Sequence, residues 1–215
     1  MPEILAANDL TKDFGRLRAV DQLSFEVRRG EILGMMGPNG AGKTTVFNLL
    51  TGVYKPDRGT ITFDGRDITN ESPPKRCRRG IGRTYQIPRP FEKMTVYENM
   101  LVGAVHGGRL TEKGARDDLH ETLELAGLSP RKNHFAGTLP LLDRKRLELG
   151  RALATNPTLL LIDEVAGGLT EAEVEQILKI VKRIQETGIT IVWIEHILMM
   201  MSEGVDRLLV IAEGR

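Results

Sequence analysis

The stretch that most constrains this chain is Gly37-Pro38-Asn39-Gly40-Ala41-Gly42-Lys43-Thr44-Thr45, set between an apolar run (Glu31 to Met36) and a helical pattern from Val46 to Leu50. Glycines at this density let a backbone wrap a phosphate chain with its N–H groups. A helix opening at Gly42 aims its unpaired amides and the positive end of its dipole at the same anion. Lys43 adds a point charge for the β- and γ-phosphates, and the Thr44 hydroxyl is placed to ligate Mg²⁺. The stretch is therefore read as a phosphate-binding P-loop, which requires a strand before it and a helix after it.

Other segments supply those elements. Ile4 to Lys12, Val20 to Val27 and Glu31 to Met36 read as strands with turns at Phe14-Gly15 and Arg29-Gly30, and residues 59–68 as a hairpin turning at Asp64-Gly65. Phe14 has two readings: a ring capping a core, or a ring stacked on an adenine face. Ser72 and Pro73 open a short helix with Lys75, Arg76, Arg78 and Arg79, read as a solvated cationic face and closed by Gly80. A strand from Gly82 to Tyr85 leads to Gln86, either a watcher of metal or water or an ordinary surface residue. The two prolines of Ile87-Pro88-Arg89-Pro90-Phe91 hold the next segment extended.

From the capping box Thr95/Glu98 the pattern is helical to about Ala154, broken at Gly107-Gly108 and over Gly127 to Gly137. Leu119, Leu123 and Ala126 share one apolar face. The last helix of this block, beginning near Leu139, carries Arg144, Lys145, Arg146, Glu148 and Arg151 as a wet outer face. Residues 158–164 form a fully apolar strand ending in Asp163-Glu164, the pattern that delivers acids to the carboxyl edge of a parallel sheet, where ligands of open α/β sheets bind. Asp163 there can hold the Mg²⁺ shell, and Glu164, pointing the other way, can polarise a water for attack on a γ-phosphate. A helix capped by Thr170/Glu173 and ended by Gly188 precedes a second buried strand, Ile189 to Ile194, which runs into Glu195-His196. His196 is either structural or a γ-phosphate partner. Met199 to Met201 read as core filler, and Asp206 to Ala212 as a last strand.

These elements make one α/β domain with a mostly parallel sheet, an N-terminal antiparallel β subdomain and an inserted α-helical subdomain. The core covers 1–86 and 156–215, and the helical insert about 87–155. The abrupt stop at Glu213-Gly214-Arg215 reads as a trimmed or minimal C-terminus. With 215 residues, 40% of them hydrophobic, the chain can bury such a core. Thirty basic and twenty-nine acidic residues leave a net charge of +1, so no global field recruits nucleic acid or an acidic membrane surface. The lone Cys77, with no secretory signal and no spanning apolar run, fits a reducing, cytosolic setting.

Phe14, the P-loop, Gln86, Asp163-Glu164 and His196, in this order, resemble the nucleotide-binding subunits of ATP-binding cassette (ABC) transporters over nearly the whole chain. That resemblance implies an ATPase that binds ATP and Mg²⁺. It makes Phe14 the adenine-stacking aromatic, Gly37 to Thr45 the Walker A loop, Gln86 the metal- and membrane-sensing glutamine, Asp163 the Walker B aspartate, Glu164 the catalytic base and His196 the switch histidine. Residues 33–45, Met94 to Asn99 and Arg151 to Ala154 look most like the ATPases of branched-chain and other hydrophobic amino-acid importers. The implied partners are a second ABC ATPase, transmembrane permease subunits docked near Gln86 to Phe91 and, indirectly, a solute-binding protein. The implied location is peripheral, on the cytoplasmic face of the membrane. A nucleotide-gated regulator with little hydrolysis and a non-transport ABC ATPase are the alternatives.

One departure stands out. Where the family writes Leu-Ser-Gly-Gly-Gln, this chain has Leu139-Pro140-Leu141-Leu142-Asp143. Pro140 has neither hydroxyl nor N–H. A bare Asp143 carboxylate about 4 Å from a polyphosphate costs about 4 kcal/mol in a partly screened site. On this reading the chain works best in a heterodimer whose other ATPase supplies a good signature, although Pro140 and Asp143 also make a sound helix start. Val165, where a proline is common, and Thr170, near the usual D-loop aspartate, depart less.

Overall fold

A computed structural model describes residues 2–107 and 112–215, and the side chains of all of these except 112–118. Gly108, half of one predicted helix break, lies outside the described residues. In chain order the elements are β1 (Glu3–Phe14), β2 (Leu17–Arg28), β3 (Ile32–Met36), α1 (Lys43–Leu50), β4 (Arg58–Phe63), β5 (Arg66–Asp67), α2 (Pro73–Arg79), β6 (Ile81–Arg83) and α3 (Val96–His106). There follow α4 (Glu112–Leu125), α5 (Leu141–Leu153), β7 (Leu159–Asp163), α6 (Glu171–Glu186), β8 (Thr190–Ile194), α7 (Leu198–Gly204) and β9 (Arg207–Val210).

Two sheets result. One is antiparallel, in the order β2-β1-β4-β5, and the other, β6-β7-β8-β3-β9, is parallel throughout. Strands β7 and β8 are buried at every residue, as continuous apolar runs covered on both faces must be. The two-residue period sorts them: Leu159, Leu161, Val192 and Ile194 pack with Phe47 of α1 and the antiparallel sheet, while Leu160, Ile162, Ile191 and Trp193 pack under α5, α6 and α7. The helical block has its own core of Val96, Met100, Leu119, Leu123, Ala126 and Leu147. Helix α5 belongs to both, with Leu147 in the helical core and Leu149, Ala152 and Leu153 against the parallel sheet.

Local signals act as expected at the capping box of Thr95 and Glu98, where each side chain bonds the other residue's N–H. Asp64 and Gly65, with φ of 51° and 69°, turn the hairpin. The cationic face of α2 is corrected at Arg76, while Lys75 and Arg78 are exposed as expected. Arg76 is fully buried, and its guanidinium donates to the carbonyls of Leu49 (2.6 Å), Leu50 (2.9 Å) and Thr69 (2.9 Å). It ties up the free carbonyl end of α1, where a cation meets the negative end of the dipole. Desolvation lowers its pKa to about 10.

The wet face expected of α5 is corrected too. Lys145 and Glu148 are buried, at 4% and 6% exposure. Arg144 donates to the carbonyls of Leu139 and Gly137, and Arg151 to that of Arg89. The charges at 145, 148 and 151 share one helical face, and that face looks inward onto residues 85–91.

Candidate functional site

Strands β3, β6, β7 and β8 run parallel, so their carboxyl ends bring the P-loop, Gln86, Asp163-Glu164 and Glu195-His196 to one edge. The loop's glycines are there for backbone geometry. Gly40 and Gly42 sit at φ of 83° and 100°, in the left-handed region, and a Cβ on Gly42 would lie 2.3 Å from the Ala19 carbonyl oxygen. Gly37 is extended, but a Cβ there would meet the Ile211 oxygen at 2.1 Å. Helix α1 starts directly from Gly42 with no side chain capping its first turn, leaving its amides to face a recess of about 540 Å³.

Phe14, Asn39 to Thr45 and Glu164 line that recess. Phe14 does not cap a core: its ring is 41% exposed, with the Tyr54 ring edge-on at 5.2 Å and the Lys12 ammonium 5.6 Å from its centroid. Lys43 is buried and donates to the carbonyls of Gly37 (2.7 Å) and Pro38 (3.0 Å). Burial lowers its pKa, and the Glu164 and Asp163 carboxylates oppose that shift. Thr44 lines both this recess and an adjoining cleft of about 550 Å³ shared with Arg83, Gln86, Glu148 and Asp163.

Glu164 leaves β7 in a left-handed conformation, φ 44°, while its N–H still donates to the Ile194 carbonyl at 2.9 Å. A β-carbon-bearing residue in this region is uncommon, and such strain collects at functional positions. The turn separates its side chain from that of Asp163. One Glu164 oxygen meets His196 Nε2 at 2.7 Å, and the other accepts from Gln86 Nε2 at 2.5 Å. Gln86 and His196, each singled out independently in the sequence, thus converge on the carboxylate of a third such residue, Glu164. Asp163 is buried and paired with Arg83 at 3.1 Å, and its N–H donates to the Thr84 hydroxyl. Burial raises its pKa, and the Arg83 guanidinium pulls it back down.

Arg83, Lys145, Glu148 and Glu195 were not identified from sequence as parts of this edge. For Arg83 a signal existed, a cation inside a short core strand leading to Gln86. Glu195 sits beside His196 at the end of a buried strand, is 2% exposed and has its pKa pushed up to about 7 by burial and by the nearby Glu164 charge. The signature segment also differs from expectation. Pro140 is the N-cap of α5, and Asp143 in its first turn is nearly buried, paired with Arg146 (3.0 Å) and Arg131 (3.4 Å). It presents no bare carboxylate.

A strand and helix flanking a glycine-built phosphate loop, with an Asp-Glu strand end beside it, define a P-loop nucleoside triphosphatase. The family model described as "ABC transporter" matches residues 20–167. Among relatives, the high-affinity branched-chain amino acid transport ATP-binding protein LivG of Salmonella typhimurium is 38% identical, over 98% of this chain and 89% of that one. BraF of Pseudomonas aeruginosa, which carries the same description, is 36% identical over 98% and 89%. A crystal structure of the ADP conformation of an ATP-binding cassette of an ABC transporter superposes with a TM-score of 0.91 at 34% identity, covering all of this chain and 89% of that one. A dimeric post-hydrolysis cassette bound to ADP and Pi superposes at 0.85, with 25% identity, over 98% of this chain and 95% of that one. The chain belongs to the ABC transporter family, and it is an ATPase subunit of that family. Among the described residues, no helix is long and apolar enough to cross a membrane.

Proposed function

We propose that this chain hydrolyses MgATP to power import of branched-chain or other hydrophobic amino acids, with Glu164 as the general base. The observation that carries the base assignment is the Glu164 carboxylate, held between Gln86 and His196 at the mouth of the P-loop recess. The substrate class rests on the likeness to LivG and BraF.

In this reading the adenine lies against Phe14, and the phosphates take the amides of Gly37 to Thr45. Lys43 turns from the Gly37 and Pro38 carbonyls to the β- and γ-phosphates. Thr44, Gln86 and Asp163 offer hard oxygen donors from one cleft, a set that suits Mg²⁺. No group of three His, Cys, Asp or Glu side chains able to hold a metal occurs among the described residues. A cation brought in chiefly by phosphate oxygens needs none. Bound Mg²⁺ neutralises charge on the phosphate oxygens. Glu164 accepts a proton from the attacking water as the new oxygen–phosphorus bond forms and the bond to ADP breaks, while His196 donates to the γ-phosphate.

Two such subunits form the working unit. Permease subunits dock over the segment where Tyr85, Ile87 and Phe91 are exposed, which makes the protein peripheral on the cytoplasmic face; a solute-binding protein acts through the permease. No nucleic acid is involved. Absence of the signature serine favours one second reading, a nucleotide-gated module with little turnover, or a heterodimer in which a better signature comes from the partner ATPase.

The test is ATP turnover against protein concentration with Mg²⁺, using Glu164→Gln as the blank. A rate per molecule that climbs with concentration establishes a competent composite site built from two copies. A rate at the blank throughout, despite measurable ATP binding, supports the second reading. Hydrolysis persisting in Glu164→Gln removes Glu164 from the base role.

A further inference from the structure

Helix α5 grips the segment that carries Gln86. Lys145 Nζ donates to the Gln86 carbonyl at 2.7 Å and lies 3.5 Å from the Glu164 carbonyl oxygen. Glu148 accepts from the backbone N–H groups of Tyr85 and Arg89, and Arg151 donates to the Arg89 carbonyl at 2.8 Å and lies 5.1 Å from the Phe91 ring centroid. Residues 145, 148 and 151 thus bond a non-helical segment whose own prolines leave it few internal partners.

Of the three, Lys145 reaches both arms of the Glu164 cluster. It holds the backbone of Gln86, whose side chain bonds Glu164, and it faces the backbone of Glu164 itself. A buried ammonium is a costly way to fill space, and an apolar side chain of similar volume fills it for less. Beside it, Glu195 is buried; the Ala166 N–H bonds its carboxylate while Oε2 has no hydrogen-bond partner among the described residues, and its charge opposes the fall that burial imposes on the Lys145 pKa.

We propose that Lys145 is a positioning residue: from the inward face of α5 it fixes the backbone of Gln86, and so the side chain that Gln86 turns onto the Glu164 carboxylate. The inference rests on the roles proposed above for Glu164 and Gln86. It makes α5 a rigid connection between the Leu139 to Asp143 turn at its start and the water-activating carboxylate, because Lys145 lies within the first two turns of the same helix.

The test compares wild type with Lys145→Met, each also in a Gln86→Ala background, within whichever assembly turns over ATP. kcat, KM, affinity for a fluorescent ATP analogue and hydrogen exchange of amides 85–91 are read together. Lys145→Met is expected to lower kcat at least tenfold while nucleotide affinity stays within threefold, and to speed exchange over 85–91. In the Gln86→Ala background the same substitution is expected to cost less than threefold. An unchanged kcat overturns the proposal, as does a full tenfold loss in the Gln86→Ala background, or a parallel loss of affinity and turnover. If Lys145→Met does not fold, Lys145→Gln, with a shorter reach to the same carbonyls, is read by the same criteria. Glu164→Gln runs alongside: continued hydrolysis there refutes the base assignment, whereas a dead Glu164→Gln with a fully active Lys145→Met refutes the positioning role alone.

Discussion

Arg83→Met isolates the charge balance under the site. In the native protein the Arg83 and Asp163 side chains are each 7% exposed and meet at 3.1 Å, and Arg83 also donates to Asn48 at 2.6 Å. Removing one member of a buried pair strands the other, at a cost of about 3–5 kcal/mol. The stranded group is Asp163, whose pKa burial already raises and the guanidinium restrains. Without Arg83 it rises further. A carboxyl with a folded pKa above its unfolded value binds a proton more readily in the native state, so stability falls as pH climbs from the unfolded value through the folded one. The cost of Arg83→Met is therefore expected to be larger at pH 8 and to shrink as pH falls, because a protonated Asp163 needs no counter-charge. Denaturant unfolding as a function of pH measures it. Adding Asp163→Asn to Arg83→Met is expected to return at least half of the loss at pH 8, since it removes the stranded charge. A single-variant cost below about 1 kcal/mol, a cost independent of pH, or no recovery in the double variant refutes the reasoning.

Lys43→Ala removes a charge-assisted contact to phosphate, so ATP affinity is expected to fall by about 1.5–3 kcal/mol, roughly 10- to 150-fold, in a direct binding titration; equal affinity contradicts the P-loop assignment. Glu195 has its pKa raised from 4.5 to about 7, so its charge opposes folding above the unfolded value and stability is lost as pH rises through that window. The shift corresponds to about 3 kcal/mol. Glu195→Gln is expected to melt higher than wild type at pH 8 and no higher at pH 4.5, and a pH-independent difference counts against this account.

Much of the site was readable because its signals are backbone signals. Gly40 and Gly42 are demanded by left-handed geometry, the Leu159 to Ile162 run by burial on both faces, and the Thr95 and Thr170 caps by unpaired amides. Each depends on residues within a few positions. The convergence of Gln86 and His196 on Glu164 depends instead on the strand order β6-β7-β8, which places three distant chain positions side by side. No local pattern encodes that order. The buried cations were misread for a related reason. Arg76, Lys145 and Arg151 have the spacing of a solvated stripe, and long stems carry their heads to carbonyls of segments remote in sequence or at the end of another helix. Whether a charged face meets water or a carbonyl-rich loop is settled by packing, and α5 is packed on both sides.

The same packing changes the weight of the unusual α5 start. The case against it from sequence had two parts, a lost serine hydroxyl and an added negative charge, with the charge the larger at about 4 kcal/mol for a bare carboxylate at about 4 Å. Asp143 spends that charge on Arg146 and Arg131, so the repulsive part largely disappears. What remains is one absent hydrogen bond to a charged phosphate, about 1.5–3 kcal/mol. Against this, Pro140 fixes the entry to α5, and among the described residues no side chain caps the amides of Leu141 to Asp143, which in the proposed two-subunit unit would face the other subunit's nucleotide. A deficit of that size slows a composite site without abolishing it. The departure from the family pattern thus argues for reduced turnover in a homodimer more strongly than for an obligatory partner.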